Sequence, residues 1–308
     1  MLRSEMVGLR ALSNWGRWGS DDERGTVNFI TPEVIVQAAR EVRKGTAITC
    51  AIPIDRDGPS YPTRIPNVRM MSVLNLASGN GDMLVNDDTI VMPLQGSTQW
   101  DSLAHIGYAG VYYNGVTPAQ ITAERGATRN SIFLLGESLS TRGVLLDMVR
   151  YFGVEPAGHL PPSYAITVAD IEGCLAAQGV TVRSGDALLV RTGWTNLWYR
   201  ERQDPWQYAR TNPGLSVKTL EWIYDREIAC VAVDNITVEV QPGEVAGYPL
   251  PLHEIAIRDM GLTIGEVFDF RHLADDCAQD GRYTCLFVGP PLRFRGALGS
   301  PLNPLAIK

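Results

Sequence analysis

Gly185-Asp186-Ala187-Leu188-Leu189-Val190-Arg191 is an unbroken apolar run with one charge at each end, set in a chain of 308 residues. Four consecutive apolar residues leave no polar face, so the segment reads as a central strand covered on both sides, the habit of parallel strands with helices above and below. Working outward, Thr167 and Asp170 are spaced as a capping box for a helix over 168–178, which Gly179 ends. Downstream, Ser216 to about Glu227 reads as helix and Ile228 to Val233 as strand. A helix over about 252–260 then runs into a turn at Gly261, and Tyr283–Val288 is the last strand expected. Alternating strands and helices in the second half predict an α/β fold with a mixed sheet. No composition shift or flexible linker divides the chain, so the expectation is one domain over 1–308 with a structured N-terminal arm at about 1–30.

In the first half, Thr31-Pro32-Glu33 combines a cap, a first-turn proline and an acid near the positive helix end. It predicts a helix over about 32–43 whose buried stripe is Val34, Ile35, Ala38, Ala39 and Val42. Thr46–Ile54 and Ile90–Leu94 read as strands, and Asn114-Gly115 as a tight turn. The stretch from Asp55 to about Asn80, rich in Pro, Gly, Arg and Ser, reads as a long loop of the kind that borders active sites. Around 141–151, Val144, Leu145, Leu146, Met148 and Val149 read as a short helix ended by Gly153. The apolar tail Pro301–Lys308 is expected to pack down, with a subunit boundary as one place for it.

Lys plus Arg number 27 against 34 Asp plus Glu, and no basic run is present, which argues against nucleic acid or an anionic membrane as partner. No stretch of 18 apolar residues exists to span a bilayer, and the N-terminus lacks a secretory signal pattern. Cys50, Cys174, Cys230, Cys277 and Cys285 show no CxxC pairing and fit a reduced, cytoplasmic setting as buried small hydrophobes. A small-molecule partner is therefore the default. GxGxxG, Walker A, GxSxG and HExxH are all missing, which leaves nucleotide cofactors and a serine triad without support.

Imidazole chemistry must come from four residues, His105, His159, His253 and His272. His159 sits in a Gly/Pro loop, and His272 reads as a polar helix-face residue. His105 follows Asp101 by four positions, so the two share a face if the segment is helical. A carboxylate there can hold the ring tautomer or join it at a metal, and a buried structural Asp-His bond is the equal alternative. His253 and Glu266 lie thirteen apart across Gly261 and Gly265, and meet only if helix and strand fold back on each other.

Taken together, these segments resemble the cyclase family of metal-dependent amidohydrolases, which includes bacterial arylformamidase and isatin hydrolase. The resemblance rests on Asn14–Gly19 with Gly25–Asn28, on Gln95-Gly-Ser-Thr-Gln-Trp-Asp101 through His105, and on Arg142–Asp147. It continues through Gly185–Trp194, His253 to Glu266, and the tail Gly299–Lys308. It implies a swivelling β/β/α fold, a homodimer or homotetramer, and a divalent Mn or Zn centre. The family's ligand positions fall on Gln95, Gln99, Asp101, His253 and Glu266, and its general acid/base on His105.

Two of those positions carry glutamine where the family has histidine. An amide oxygen is a weaker donor to zinc than imidazole, so the resemblance implies one ion rather than two. Asp101, His253 and Glu266 would hold it, with Gln99 as possible fourth ligand. Trp100 and Tyr113 are expected as substrate-pocket walls, with core packing as the alternative for Trp100. The activity implied is metal-assisted hydrolysis of a small cyclic or N-acyl amide, an arylformamide or lactam, or of a lactone. The competing reading is a metal-free ligand-binding or scaffold protein on the same fold.

Overall fold

In the computed structural model, which describes residues 3–154, 157–201 and 203–308, the run at 187–191 is the middle of a nine-stranded mixed sheet. Its strands are β1 (Ala47–Thr49), β2 (Gln99–Asp101), β3 (Ser140–Asp147), β4 (Ala187–Arg191), β5 (Cys230–Val233), β6 (Thr263–Glu266), β7 (Thr284–Val288), β8 (Gly299–Pro301) and β9 (Leu305–Ile307). They lie side by side in the order β1-β9-β7-β3-β4-β5-β6-β2-β8. The inner four, β3 to β6, are parallel to their neighbours, and every strand added outside them runs antiparallel to its neighbour. Both faces are buried: Val144, Leu146, Leu188, Val190, Val231 and Val233 enter one core, while Leu145, Ala187, Leu189, Cys230 and Ala232 enter the other. The two-sided burial read from 187–191 therefore holds for the whole parallel centre.

Two buried ion pairs set the β3–β4 register. Arg142 grips Asp186 with two bonds, 3.0 and 2.7 Å, and Arg191 meets Asp147 at 2.9 Å. Both pairs join residues related by the same strand offset, so a slip by one residue would break both at once. Removing one partner of a pair so buried costs about 3–5 kcal/mol.

The segment 141–151, expected as helix, is strand β3 with only Met148–Tyr151 helical. An apolar run fits a buried strand or a buried helix equally, and here its place between β4 and β7 decides for strand. The helix 168–178 forms as expected, capping box included. The first-half helix is shorter, Pro32–Ala39, and of its expected stripe only Ala38 is fully buried, while Ile35 is exposed. The expected loop holds over 55–67, but Val68–Ser78 is half of a long hairpin with Met83–Val91, which absorbs the start of the expected strand at 90–94. The tail contributes two more strands, and β9 pairs with β1 and β7 of its own sheet. Within the arm, Asn14 bonds Asp259 and Met260 and the Trp15 indole donates to the Arg258 carbonyl, which ties the arm to the segment after His253. Met1 and Leu2 of the expected arm lie outside the described residues. No helix among the described residues is long and apolar enough to cross a membrane.

Candidate metal centre and adjoining cavity

The site is built where β6 meets β2. Glu266 lies opposite Gln99, and Trp100 lies opposite Gly265. Side chains alternate along a strand, so Gln99 and Asp101 share one face of β2 while Trp100 takes the other. Asp101 in turn lies opposite Gly299 on β8. The Gln95 amide nitrogen sits 2.6 Å from where a Cβ on Gly299 would be, so the missing side chain leaves room for Gln95 over this part of β8. His253 arrives on a separate element, at the end of the helical turn Pro251–His253 that continues as a π-helical stretch, Glu254–Asp259. Such π-turns concentrate at functional sites.

One ligand atom each from Asp101, His253 and Glu266 comes together, all within 4.8 Å of one another, and all three residues are buried. His253 Nε2 stands 3.2 Å from Glu266 Oε1, and the Gln99 amide donates to Glu266 Oε2 at 2.6 Å. Behind His253, Glu239 takes the Nδ1 hydrogen at 2.7 Å and the backbone N–H groups of Leu252 and His253 at 3.0 Å each. A carboxylate behind a ligating histidine fixes the tautomer and aims the other nitrogen at the metal position.

Val238 and Val267 flank the two carboxylates on His253, and both valines have positive φ, 55° and 59°. A β-branched residue is strained there. Asn235 holds them: its Oδ1 accepts from Val238 N–H at 2.8 Å and its carbonyl from Val267 N–H at 2.7 Å.

Burial pulls the His253 imidazole toward neutrality, but hydrogen bonds and charge from Glu239 and Glu266 outweigh it and raise its pKa to about 10. Burial pushes the Asp101 carboxyl upward; His105 opposes this, Glu266 reinforces it, and His253 and Arg64 oppose it, with a raised value as the net result. Asp101 Oδ1 and Gln99 Oε1 are buried and have no hydrogen-bond donor among the described residues. Three buried carboxylates thus surround one imidazole, and two oxygen atoms are left over. That donor set, carboxylates plus imidazole plus amide oxygen, fits one divalent cation. His105 lies outside this knot, partly exposed, with Nε2 3.8 Å from Asp101 Oδ1. It follows a strand rather than sharing a helix with Asp101, so chain reversal after β2 brings the pair together.

Trp100 and Tyr113, expected as pocket walls, are both core residues with no exposed surface. The Trp100 ring packs on Phe268 and Phe287 and donates to the Gly289 carbonyl, whereas Tyr113 packs against Gly261 and donates to Asp22. A ring enclosed on every side offers no face to a ligand. A cavity of about 910 Å³ lies on the loop 55–66 and Trp198–Arg200 with Trp206; Asp101, His105, His253 and Glu266 do not line it. That loop is tied to the site strands at both ends. Ile52 N–H donates to Thr98 Oγ1 at 2.9 Å, Asn67 donates to the Gly96 carbonyl at 3.1 Å, and Arg64 donates to the Gln95 carbonyl at 2.5 Å.

The sequence reading named Asp101, His253 and Glu266, which the structure brings together, and did not name Glu239, Asn235 or the cavity side chains. Glu239 carried a readable signal, as the lone acid in the apolar stretch Ile236–Val240.

The family model described as Putative cyclase matches residues 29–240. The chain belongs to this cyclase family. A solved structure described as a novel cyclase is 43% identical, covers 96% of this chain and 98% of its own, and superposes with a TM-score of 0.89. Isatin hydrolase A from Labrenzia aggregata shares the fold at 17% identity, covering 87% of this chain and 94% of its own with a TM-score of 0.61. A protein from Bacillus stearothermophilus described as a predicted metal-dependent hydrolase does so at 18% identity, covering 85% and 97%, with a TM-score of 0.51. No curated protein sequence matches. The mixed α/β architecture of this cyclase chain is that of these structures.

Proposed function

We propose that this cyclase-family chain is a metal-dependent hydrolase that opens a small cyclic or N-acyl amide, an arylformamide or lactam, or a lactone. The observation that carries the reading is the pair of buried, donor-less oxygens, Asp101 Oδ1 and Gln99 Oε1, beside the Glu239–His253–Glu266 chain. Asp101, His253 and Glu266 would hold one Mn or Zn ion, with Gln99 beside them and Gln95 further out. Such an ion supplies Lewis acidity to a carbonyl and makes water more acidic. Glu239 keeps the His253 Nδ1 proton in place and so leaves Nε2 to face the ion. His105, within reach of both Asp101 and solvent, takes a proton from the attacking water and returns it to the departing nitrogen or oxygen. The hydrolase names of the structural neighbours agree with this reading.

A metal-free binder is the second reading. It is favoured by the Gln99–Glu266–His253–Glu239 hydrogen-bond chain, which is complete without an ion. Elemental analysis of protein purified without chelator, with aryl formamide and lactam hydrolysis assayed before and after chelation, separates the two. About one Mn or Zn per chain, with activity lost on chelation and restored by the ion, is the expected result. No bound metal and no gain from added divalent ions would leave the binder.

The proposal extends to a homodimer or homotetramer in a reducing cytoplasm. All five cysteines are free and buried, and burial raises each thiol. The hairpin leaves Met70, Leu74, Leu76 and Leu84 exposed, and at its base Ile90, Met92 and Leu94 run into an apolar groove with Leu292 and Phe294. Hairpin and groove on one chain make a self-complementary surface for a second copy.

A further inference from the structure

Arg64 is half-buried, has no carboxylate partner among the described residues, and lines the cavity of about 910 Å³ while donating to the Gln95 carbonyl. The buried arginines behave differently: Arg142, Arg191 and Arg258 each grip an aspartate. Arg64 is near enough to Asp101 to act on its charge and lies over the Tyr61 ring at 5.9 Å, but its guanidinium touches no carboxylate, so an incoming anion would complete its bonding. Its remaining N–H groups form the planar fork that matches a carboxylate.

Around it the cavity is aromatic. Tyr61 and Trp206 meet edge to face at 6.2 Å, and the Trp198 indole is fixed by its bond to the Asp57 carbonyl at 2.8 Å. Asp55 and Asp57 also border the cavity, but both are exposed, and Arg56 and Arg200 stand with them. The lining as a whole therefore carries a positive excess, with Arg64 as the member tied to the site strand.

We propose that this cavity is a subsite for a planar aromatic ring bearing a carboxylate, and that Arg64 is the residue that selects for the carboxylate. The aromatic walls take the ring by edge and face contacts. Arg64, anchored on the Gln95 carbonyl, sets how far the ring lies from the Asp101–His253–Glu266 cluster. The substrate class is then an acidic aryl amide or lactam rather than a neutral one. As a statement about turnover this rests on the hydrolase reading; as a statement about binding it does not.

The test has two arms. In the first, metal-free protein is titrated calorimetrically with benzoate and with benzamide, and the Arg64→Met and Arg64→Lys variants are treated alike, with thermal melting as the check on folding. Benzoate is expected to bind the parent chain more tightly than benzamide, and Arg64→Met to weaken benzoate roughly 10- to 100-fold, the worth of one charged hydrogen-bonded pair. The benzoate/benzamide ratio then collapses toward one, and Arg64→Lys, with charge but no fork, falls between. In the second arm, kcat/KM is compared for 2-formamidobenzoate and formanilide with the metal-loaded enzyme, where the same ratio should collapse mainly through KM. Equal binding of benzoate and benzamide by the parent chain, or a preference that survives in a folded Arg64→Met, overturns the subsite. Absence of turnover on both formamides with the benzoate preference intact overturns the hydrolase reading and leaves the subsite standing.

Discussion

The floor of the site and the β-hairpin depart from ordinary burial in opposite directions. At the floor, Asp101, Glu239, His253 and Glu266 are withdrawn from water, and Asp101 Oδ1 finds no donor. On the hairpin, Leu74 and Leu84 stand 67% and 61% exposed on a two-stranded ribbon, a structure barely stable in water without something to cover it. One region has too much buried charge for what surrounds it and the other too little cover for its apolar surface. On the function proposed above, a cation would answer the first departure and a second copy the second. A third place shows what completion looks like: the Lys308 side chain is fully buried yet paired with Asp276, Asp280 and the Arg282 carbonyl.

The comparison is most directly broken at the floor. Asp101→Asn should lower kcat/KM on a competent substrate by roughly a thousandfold or more, comparable to the loss of an essential group in other hydrolases. The same substitution should stabilise the metal-free chain by roughly 1–3 kcal/mol, because it removes a buried charge that has no donor. Steady-state kinetics and metal-free melting check the two halves, and a destabilised Asp101→Asn would show that the cluster is complete without an ion.

Next in size is the hairpin. Leu74→Glu with Leu84→Glu should weaken self-association at least about a hundredfold, since two buried leucines contribute about 1.5–3 kcal/mol each. Sedimentation or light scattering against concentration reads this, and a chain already monomeric before substitution would remove the second half of the comparison. Smaller is the effect of Glu239→Gln, which leaves the ligands in place and should cost about 10- to 100-fold in metal affinity, measured by competition with a chelator.

The smallest change belongs to the completed cluster. Lys44 and Lys308 hold Asp276 and Asp280 below the usual carboxylate range, against the opposing pull of burial. Carboxylates with a depressed folded pKa add stability above their unfolded value, near 3.8, and lose it as pH falls toward the folded one. Lys308→Met should therefore lower stability by about 1–3 kcal/mol at neutral pH, and the difference from the parent should shrink in denaturant titrations below about pH 3.

Local residue chemistry made much of this legible. Thr167 with Asp170 is enough to start a helix, and four apolar residues at 187–190 are enough to bury a strand. Gln99, Asp101, His105, His253 and Glu266 were named through the resemblance, whereas the strand at Gln99–Asp101 that puts Gln99 and Asp101 on one face was not read from the sequence. The apolar run at 144–149 was misread, since periodicity cannot separate a buried strand from a buried helix. Trp100 and Tyr113 were misplaced for a related reason: ring type says that a side chain seeks cover, not which cover it finds.

What the sequence by itself determined was the α/β class, the helix caps and the set of ionisable side chains available to a site. Only the tertiary structure decided that Glu239 backs His253, that Gly299 makes room for Gln95, and that Arg64 reaches the site from a distant loop. Caps and buried strands depend on neighbours within a few residues. The site instead depends on contacts between segments 14, 31, 167 and 204 positions apart, and such contacts exist only after the sheet has set its strand order.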